Sequence, residues 1–163
     1  MVNRDAIVSI VDQITIKKGA PCKKTLQKIV FLIEAKGINL GCDYGIHFYG
    51  PYSTDLDYTI RELNDDGILN IEYTQMEHNI SVKDKTSCKK FENDTVTAII
   101  NEFGAETASE LELLATALYV YIISSKDASK IQNGVKKIKG EKYSDSRIQD
   151  AISRLRKTGY VIN

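Results

Sequence analysis

The chain is poor in the residues that build staples, linkers and membrane spans. Its 163 residues include three cysteines, Cys22, Cys42 and Cys88, widely spaced and without a C-x-x-C pair. An odd, scattered set is no disulfide framework, so free thiols in a reducing cytoplasm are expected. Two prolines and no low-complexity tract leave no candidate for a flexible linker. The longest apolar stretch, Leu113 to Ile123, falls far short of the roughly 20 residues that a spanning helix needs, and no membrane partner is expected. Met1-Val2-Asn3-Arg4-Asp5 has no basic region leading into an apolar run, so no signal peptide is expected either.

Catalytic signatures are also missing. There is no G-x-S-x-G, no H-E-x-x-H and no Rossmann glycine fingerprint. Gly19-Ala20-Pro21-Cys22-Lys23-Lys24-Thr25 ends like a phosphate loop. It lacks the second glycine, carries a proline and follows a helix, so its amides are not expected to wrap a phosphate. Cys42, His47 and His78 do not supply four ligands in paired short spacings, and no metal or other cofactor is expected. With no acid–base or nucleophile constellation, the chain reads as non-enzymatic.

What the chain does have is segregated charge. Formal net charge is zero, yet residues 1–54 carry a net of +3, residues 55–112 a net of −9 and residues 126–163 a net of +6. A solvated surface explains such a distribution. So does a basic end for nucleic acid with an acidic middle for a partner.

It also has one phrase written twice. Leu56, Ile60, Leu63 and Gly67 recur with the same spacings as Ile148, Ile152, Leu155 and Gly159, a period of 92 residues. Each copy is an apolar helix stripe ending in glycine and running into short apolar segments, Ile68-Leu69-Asn70-Ile71 and Tyr160-Val161-Ile162, which are expected to be strands. Ahead of the first copy the periodicity predicts helices over 3–17 and 23–36. Residues 38–52 are irregular, with a short strand at Ile46-His47-Phe48-Tyr49. After the third helix at 54–66, alternation predicts a hairpin through 68–73 and 79–83. The second half reads as helices at 91–103, 108–124, 128–138 and 145–158. The expected fold is therefore mainly α with small antiparallel β wings. It comprises two winged helix-turn-helix-like units in tandem, residues 1–90 with an insert at 38–52, and residues 91–163.

Charge separates the two copies. A helix-turn-helix protein lays its third helix in the major groove with polar side chains toward base edges. The first copy carries Asp55, Asp57, Glu62, Asp65 and Asp66, which phosphates would repel. The second carries Arg147, Gln149, Arg154, Arg156 and Lys157, after a helix bearing Lys136 and Lys137. Candidate DNA contacts are accordingly Lys136, Lys137, Arg147, Gln149, Arg154 and Lys157. A homodimer would supply two reading helices for two half-sites. A docking face for another protein accounts for the same basic residues equally well. Candidate protein contacts are His47, Tyr49, Tyr52, Asp57 and Asp65, because exposed aromatics anchor interfaces.

Lys24-Thr25-Leu26-Gln27-Lys28-Ile29-Val30-Phe31-Leu32, followed by His47-Phe48-Tyr49-Gly50-Pro51-Tyr52-Ser53 and the third helix, resembles the YwgA-like family of small prokaryotic proteins. More distantly, the L-Q-K helix and Y-G-P turn resemble the Panacea (SocA-like) antitoxin domain. The resemblance covers roughly residues 5–75. It implies a helix-turn-helix-type fold without an established reaction, and, through the antitoxin domain, contact with a protein toxin. Neither family brings a catalytic residue to this chain.

Overall fold

The doubled phrase is built as two matching helix ends. In the computed structural model, which describes residues 1–87 and 91–163, helix α3 (Thr54–Asp65) and helix α7 (Asp145–Lys157) bury the corresponding stripes. Past each helix the glycine takes a positive φ, +75° at Gly67 and +94° at Gly159, a conformation that costs a Cβ-bearing residue energy. The closing hydrogen bonds match as well. Ile68 N donates to Leu63 O and Tyr160 N to Leu155 O, each at 3.0 Å. Gly67 N donates to Asn64 O and Gly159 N to Arg156 O, each at 3.1 Å. These bonds satisfy carbonyls that a helix end otherwise leaves open.

The remaining helices are α1 (Arg4–Lys17), α2 (Lys23–Glu34), α4 (Asp94–Phe103), α5 (Ala108–Ile123) and α6 (Ile131–Lys139). Most start on a side-chain cap, such as Asn3, Ser53, Asn93, Thr107 and Ser144. Two antiparallel hairpins complete the fold, β1 (Gly45–His47) with β2 (Gly50–Tyr52), and β3 (Leu69–Tyr73) with β4 (His78–Val82). The protein is thus mainly helical with two small antiparallel hairpins.

Helix α5 runs through the middle. Every residue from Leu111 to Leu118 is buried, and α2, α6, α7 and β2 all pack on it. Helix α4 closes over α1 and α2. Buried side chains from both halves, from Ile7 and Leu26 to Phe103, Leu114 and Leu155, belong to one core.

Two expectations change. The short strand expected at 46–49 is a full hairpin, with Phe48-Tyr49 as its turn. Pro51 fits because a two-stranded ribbon leaves edge positions where a missing N–H goes unnoticed. Tyr160-Val161-Ile162 is not a strand, since among the described residues no second segment pairs with it to complete a ladder. Tyr160 instead buries its ring, and its hydroxyl donates to Leu32 O at 2.6 Å. Cys88 lies outside the described residues. Cys22 and Cys42 are free thiols. Burial, with the nearby Glu34 carboxylate adding to it, pushes the Cys42 thiol up to about 12, so it stays protonated. Among the described residues no helix is long and apolar enough to cross a membrane.

Candidate contact surface around the 45–52 hairpin

Two consecutive polar residues in the apolar helix α2 position the hairpin. Gln27 is buried, and its amide exchanges two bonds with the backbone of Ser53: Nε2 donates to Ser53 O at 2.9 Å, and Ser53 N donates to Oε1 at 2.8 Å. The Ser53 hydroxyl in turn accepts from Leu56 N and caps α3. Lys28, only 4% exposed, donates from Nζ to Pro51 O at 3.0 Å. Helix α2 therefore holds the exit strand of the hairpin and the start of α3 together.

From the other side, Gly50 lies against α5. Its φ is +99°, and a Cβ there would meet Thr116 Oγ1 at 3.0 Å and Lys28 Cε at 3.3 Å. Glycine is required twice over, by dihedral and by space. Lys139 of α6 donates to Phe48 O at 2.6 Å, fixing the turn.

The aromatic side chains are ordered by stacking. His47 lies on Tyr52 with centroids 4.6 Å apart. Tyr49 packs edge-on to Phe48 at 5.0 Å, and the Lys24 ammonium sits 3.5 Å from the Tyr49 ring centre, a close cation–π contact. Phe48 itself is 85% exposed. Asp57 flanks this patch, between Lys23 at 3.2 Å and Arg61 at 3.3 Å. Burial and the neighbouring Asp57 carboxylate raise the Tyr52 hydroxyl above its ordinary value. Asp65 is exposed at the far end of α3, away from the hairpin. Of the five residues expected as protein contacts, His47, Tyr49, Tyr52 and Asp57 line one cavity, and Asp65 does not.

Beneath the hairpin is a buried ion cluster. Glu112 of α5 accepts at Oε1 from Lys142 at 2.8 Å and from the Tyr143 hydroxyl at 2.7 Å, with Lys139 at 3.2 Å. Burial acts to raise the Glu112 carboxyl, but these donors outweigh it and hold it below its ordinary value. In the sequence Lys28 and Phe48 stand within the family motif and Lys139 among the basic residues of the helix before α7, none of them singled out, and Glu112 is unmarked. A signal existed for Lys28: a Gln-Lys pair that runs directly into five apolar residues, Ile29 to Ile33.

The residues expected to contact DNA are largely engaged within the molecule. Arg154 holds Glu106 at 2.7 Å and Glu102 at 3.3 Å, with its guanidinium 4.9 Å from the centre of the Phe103 ring. Arg147 pairs with Glu110 at 3.2 Å. Lys136 lies between Asp145 at 2.8 Å and Glu141 at 3.3 Å. Gln149 Nε2 donates to Gln132 Oε1 at 2.5 Å. Lys137 and Lys157 are exposed.

No family model and no curated protein matches the chain.

Proposed function

We propose that the protein is a non-enzymatic binding module that docks another protein through the aromatic tip of the 45–52 hairpin, with Asp57 beside it and further acidic residues along α3. The observation that carries this reading is Phe48, held out in solvent on a turn whose carbonyl is fixed by Lys139. Large aromatics supply most of the energy at interface centres, and a rigid turn loses little entropy on binding. Asp57 beside the hairpin and the exposed Asp55 and Asp65 of α3 suit a basic partner, in the manner of an antitoxin-like adaptor, whereas Glu62 and Asp66 are held by Arg4. The helix order α1–α2–α3 followed by the β3–β4 hairpin is the order of a winged helix-turn-helix, and we read residues 1–90 in that way. Helices α4 to α7 then form a second such unit without a wing. DNA reading through α7 is less well supported, because Arg147 and Arg154 would have to leave carboxylates before reaching bases.

Affinity purification from the native host with wild type, Phe48→Asp and Asp57→Lys/Asp65→Lys tests the reading. A partner held by wild type and lost by both variants is the expected result. Equal recovery by Phe48→Asp overturns it. A wild-type chain that shifts a DNA duplex at moderate salt, with affinity falling as salt rises, would move the function to α7.

A further inference from the structure

The cluster under the hairpin opens onto a cavity of about 190 Å³ between the first turns of α2 and α5. Lys24, Thr25 and Lys28 line it from α2, Ser109 and Glu112 from α5, and Lys142 from the loop after α6. Three lysines, Lys24, Lys28 and Lys142, line the cavity with Glu112 as the single carboxylate among the described lining residues, and Lys139 reaches Glu112 from behind the lining. Lys28 is buried and the Lys139 and Glu112 side chains are 6% and 7% exposed, so the inner end of the cluster is little screened by water, while Lys24 and Lys142 stand at its solvent-facing rim. Lys28 makes a single hydrogen bond among the described residues, to Pro51 O, and its other two N–H donors are unused. Burial has pushed its pKa down to about 8, with the Glu112 carboxylate acting against that shift and Lys139 and Lys24 adding to it.

Two further features favour an anion. Helix α2 opens with no side-chain cap and no acidic residue in its first turn, so its positive end is left uncompensated by the chain. The first turn of the 16-residue helix α5 reaches the same cavity through Ala108 and Ser109, with part of its positive end already offset by the Thr107 cap and Glu110. Phosphate, as a dianion, matches the excess of charge better than a single carboxylate. At about 30 Å³ per water, the cavity has room for about six waters, more than a bare phosphate fills. A second cavity of about 220 Å³ shares Lys24, Lys28 and Tyr49 with the first and is walled by His47, Phe48 and Tyr52. An apolar or planar body fits there.

We propose that the lysine-lined cavity between α2 and α5 binds a phosphate-bearing small molecule, with the phosphate on Lys24, Lys28 and Lys142 and any organic portion against the aromatic hairpin. The segment at 19–25 failed as a phosphate loop because its backbone cannot wrap the group. The site here uses lysine side chains and helix ends instead, and it does not depend on the hairpin binding a protein.

Thermal unfolding and titration calorimetry test it, with inorganic phosphate and adenosine monophosphate as probes against potassium chloride of equal ionic strength. Both probes are expected to raise the Tm by a few degrees beyond chloride. Lys24→Ala, at an exposed position, and Lys142→Ala, whose loss of a bond to Glu112 is read from its own Tm without probe, are each expected to weaken phosphate binding at least fivefold. Tighter binding of the monophosphate identifies an ester as the ligand, and equal affinity identifies free phosphate. A shift no larger than that of chloride overturns the proposal, as does an undiminished shift in both variants.

Discussion

Gln27 and Ser53 exchange two hydrogen bonds, 2.9 and 2.8 Å long, between a buried side-chain amide and one residue's backbone. The pair ties α2 to the start of α3 across 26 positions of sequence. It also explains why an L-Q-K helix and a Y-G-P-Y-S turn occur together. Gln27 meets Ser53 and Lys28 meets Pro51, so each motif supplies what the other needs. Gln27→Leu keeps the volume and removes both partners, leaving a buried N–H and a buried carbonyl open. A loss of about 2–4 kcal/mol is expected in urea unfolding, since each unsatisfied group costs about 1–3 kcal/mol. A change below about 0.5 kcal/mol would mean that water reaches Ser53.

The hairpin should separate structural from contact positions. At Gly50, an added methyl must fit against Thr116 Oγ1 and Lys28 Cε at a φ of +99°. Gly50→Ala is therefore expected to cost about 1–3 kcal/mol. Phe48→Ala, two residues earlier on the exposed turn, should stay within about 0.5 kcal/mol of wild type. Chemical denaturation of the two variants side by side checks this. Equal losses would show that Phe48 is packed.

Lys28 makes stability depend on pH in the alkaline range. Burial lowers its folded pKa from 10.5 to about 8. Between those values the unfolded chain binds the proton and the folded chain does not, so this group's contribution to stability rises with pH. Below pH 8 both states are protonated and the full penalty for the buried charge is present. Tyrosines such as Tyr160, whose hydroxyl burial raises, work in the opposite direction from about pH 10 upward, where the unfolded side chain begins to ionise. The Lys28→Met variant isolates the effect. Wild-type stability measured against it should climb between pH 8 and 10.5 by up to about 3 kcal/mol. A flat difference would mean that the ammonium is solvated.

Periodicity made the helices legible, and the doubled phrase foretold two helix ends that match down to their hydrogen bonds. The fate of the segment after each glycine was not legible. Leu69, Asn70 and Ile71 become a strand because β4 lies beside them, while Tyr160 and Val161 have no partner strand among the described residues. Pairing depends on tertiary placement, which the residues of one strand do not encode. The ion cluster was hidden for a similar reason. Lys28, Glu112, Lys139 and Tyr143 are spread over 116 positions and meet only when α2, α5 and α6 pack. Helix α7 shows the converse case. Its arginines read as basic charge because their carboxylate partners on α4, on α5 and in the loop between them lie 37 to 52 positions away.

Arg154 should therefore act first as a structural residue. It bridges Glu102 and Glu106 and covers Phe103. Burial acts to raise the Glu106 carboxyl, but the Arg154 hydrogen bond, the Thr107 amide and the charges of Arg154 and Lys18 together outweigh it, and the carboxyl is held below its ordinary 4.5. For a depressed carboxyl the stabilisation is present above the unfolded value, near pH 4.5, and is lost as pH falls through the folded value. These side chains are partly solvated, so screening limits the network to about 1 kcal/mol. Arg154→Met is expected to lower stability by that amount at pH 7 and low salt, and by less in 1 M salt, where the Debye length is about 3 Å. Below pH 4 the difference from wild type should shrink toward the packing of the side chain on Phe103. Thermal unfolding of both proteins at pH 7 and pH 3.5 measures it. An Arg154→Met chain as stable as wild type at pH 7 would show the guanidinium to be unengaged and return it to the set available for DNA.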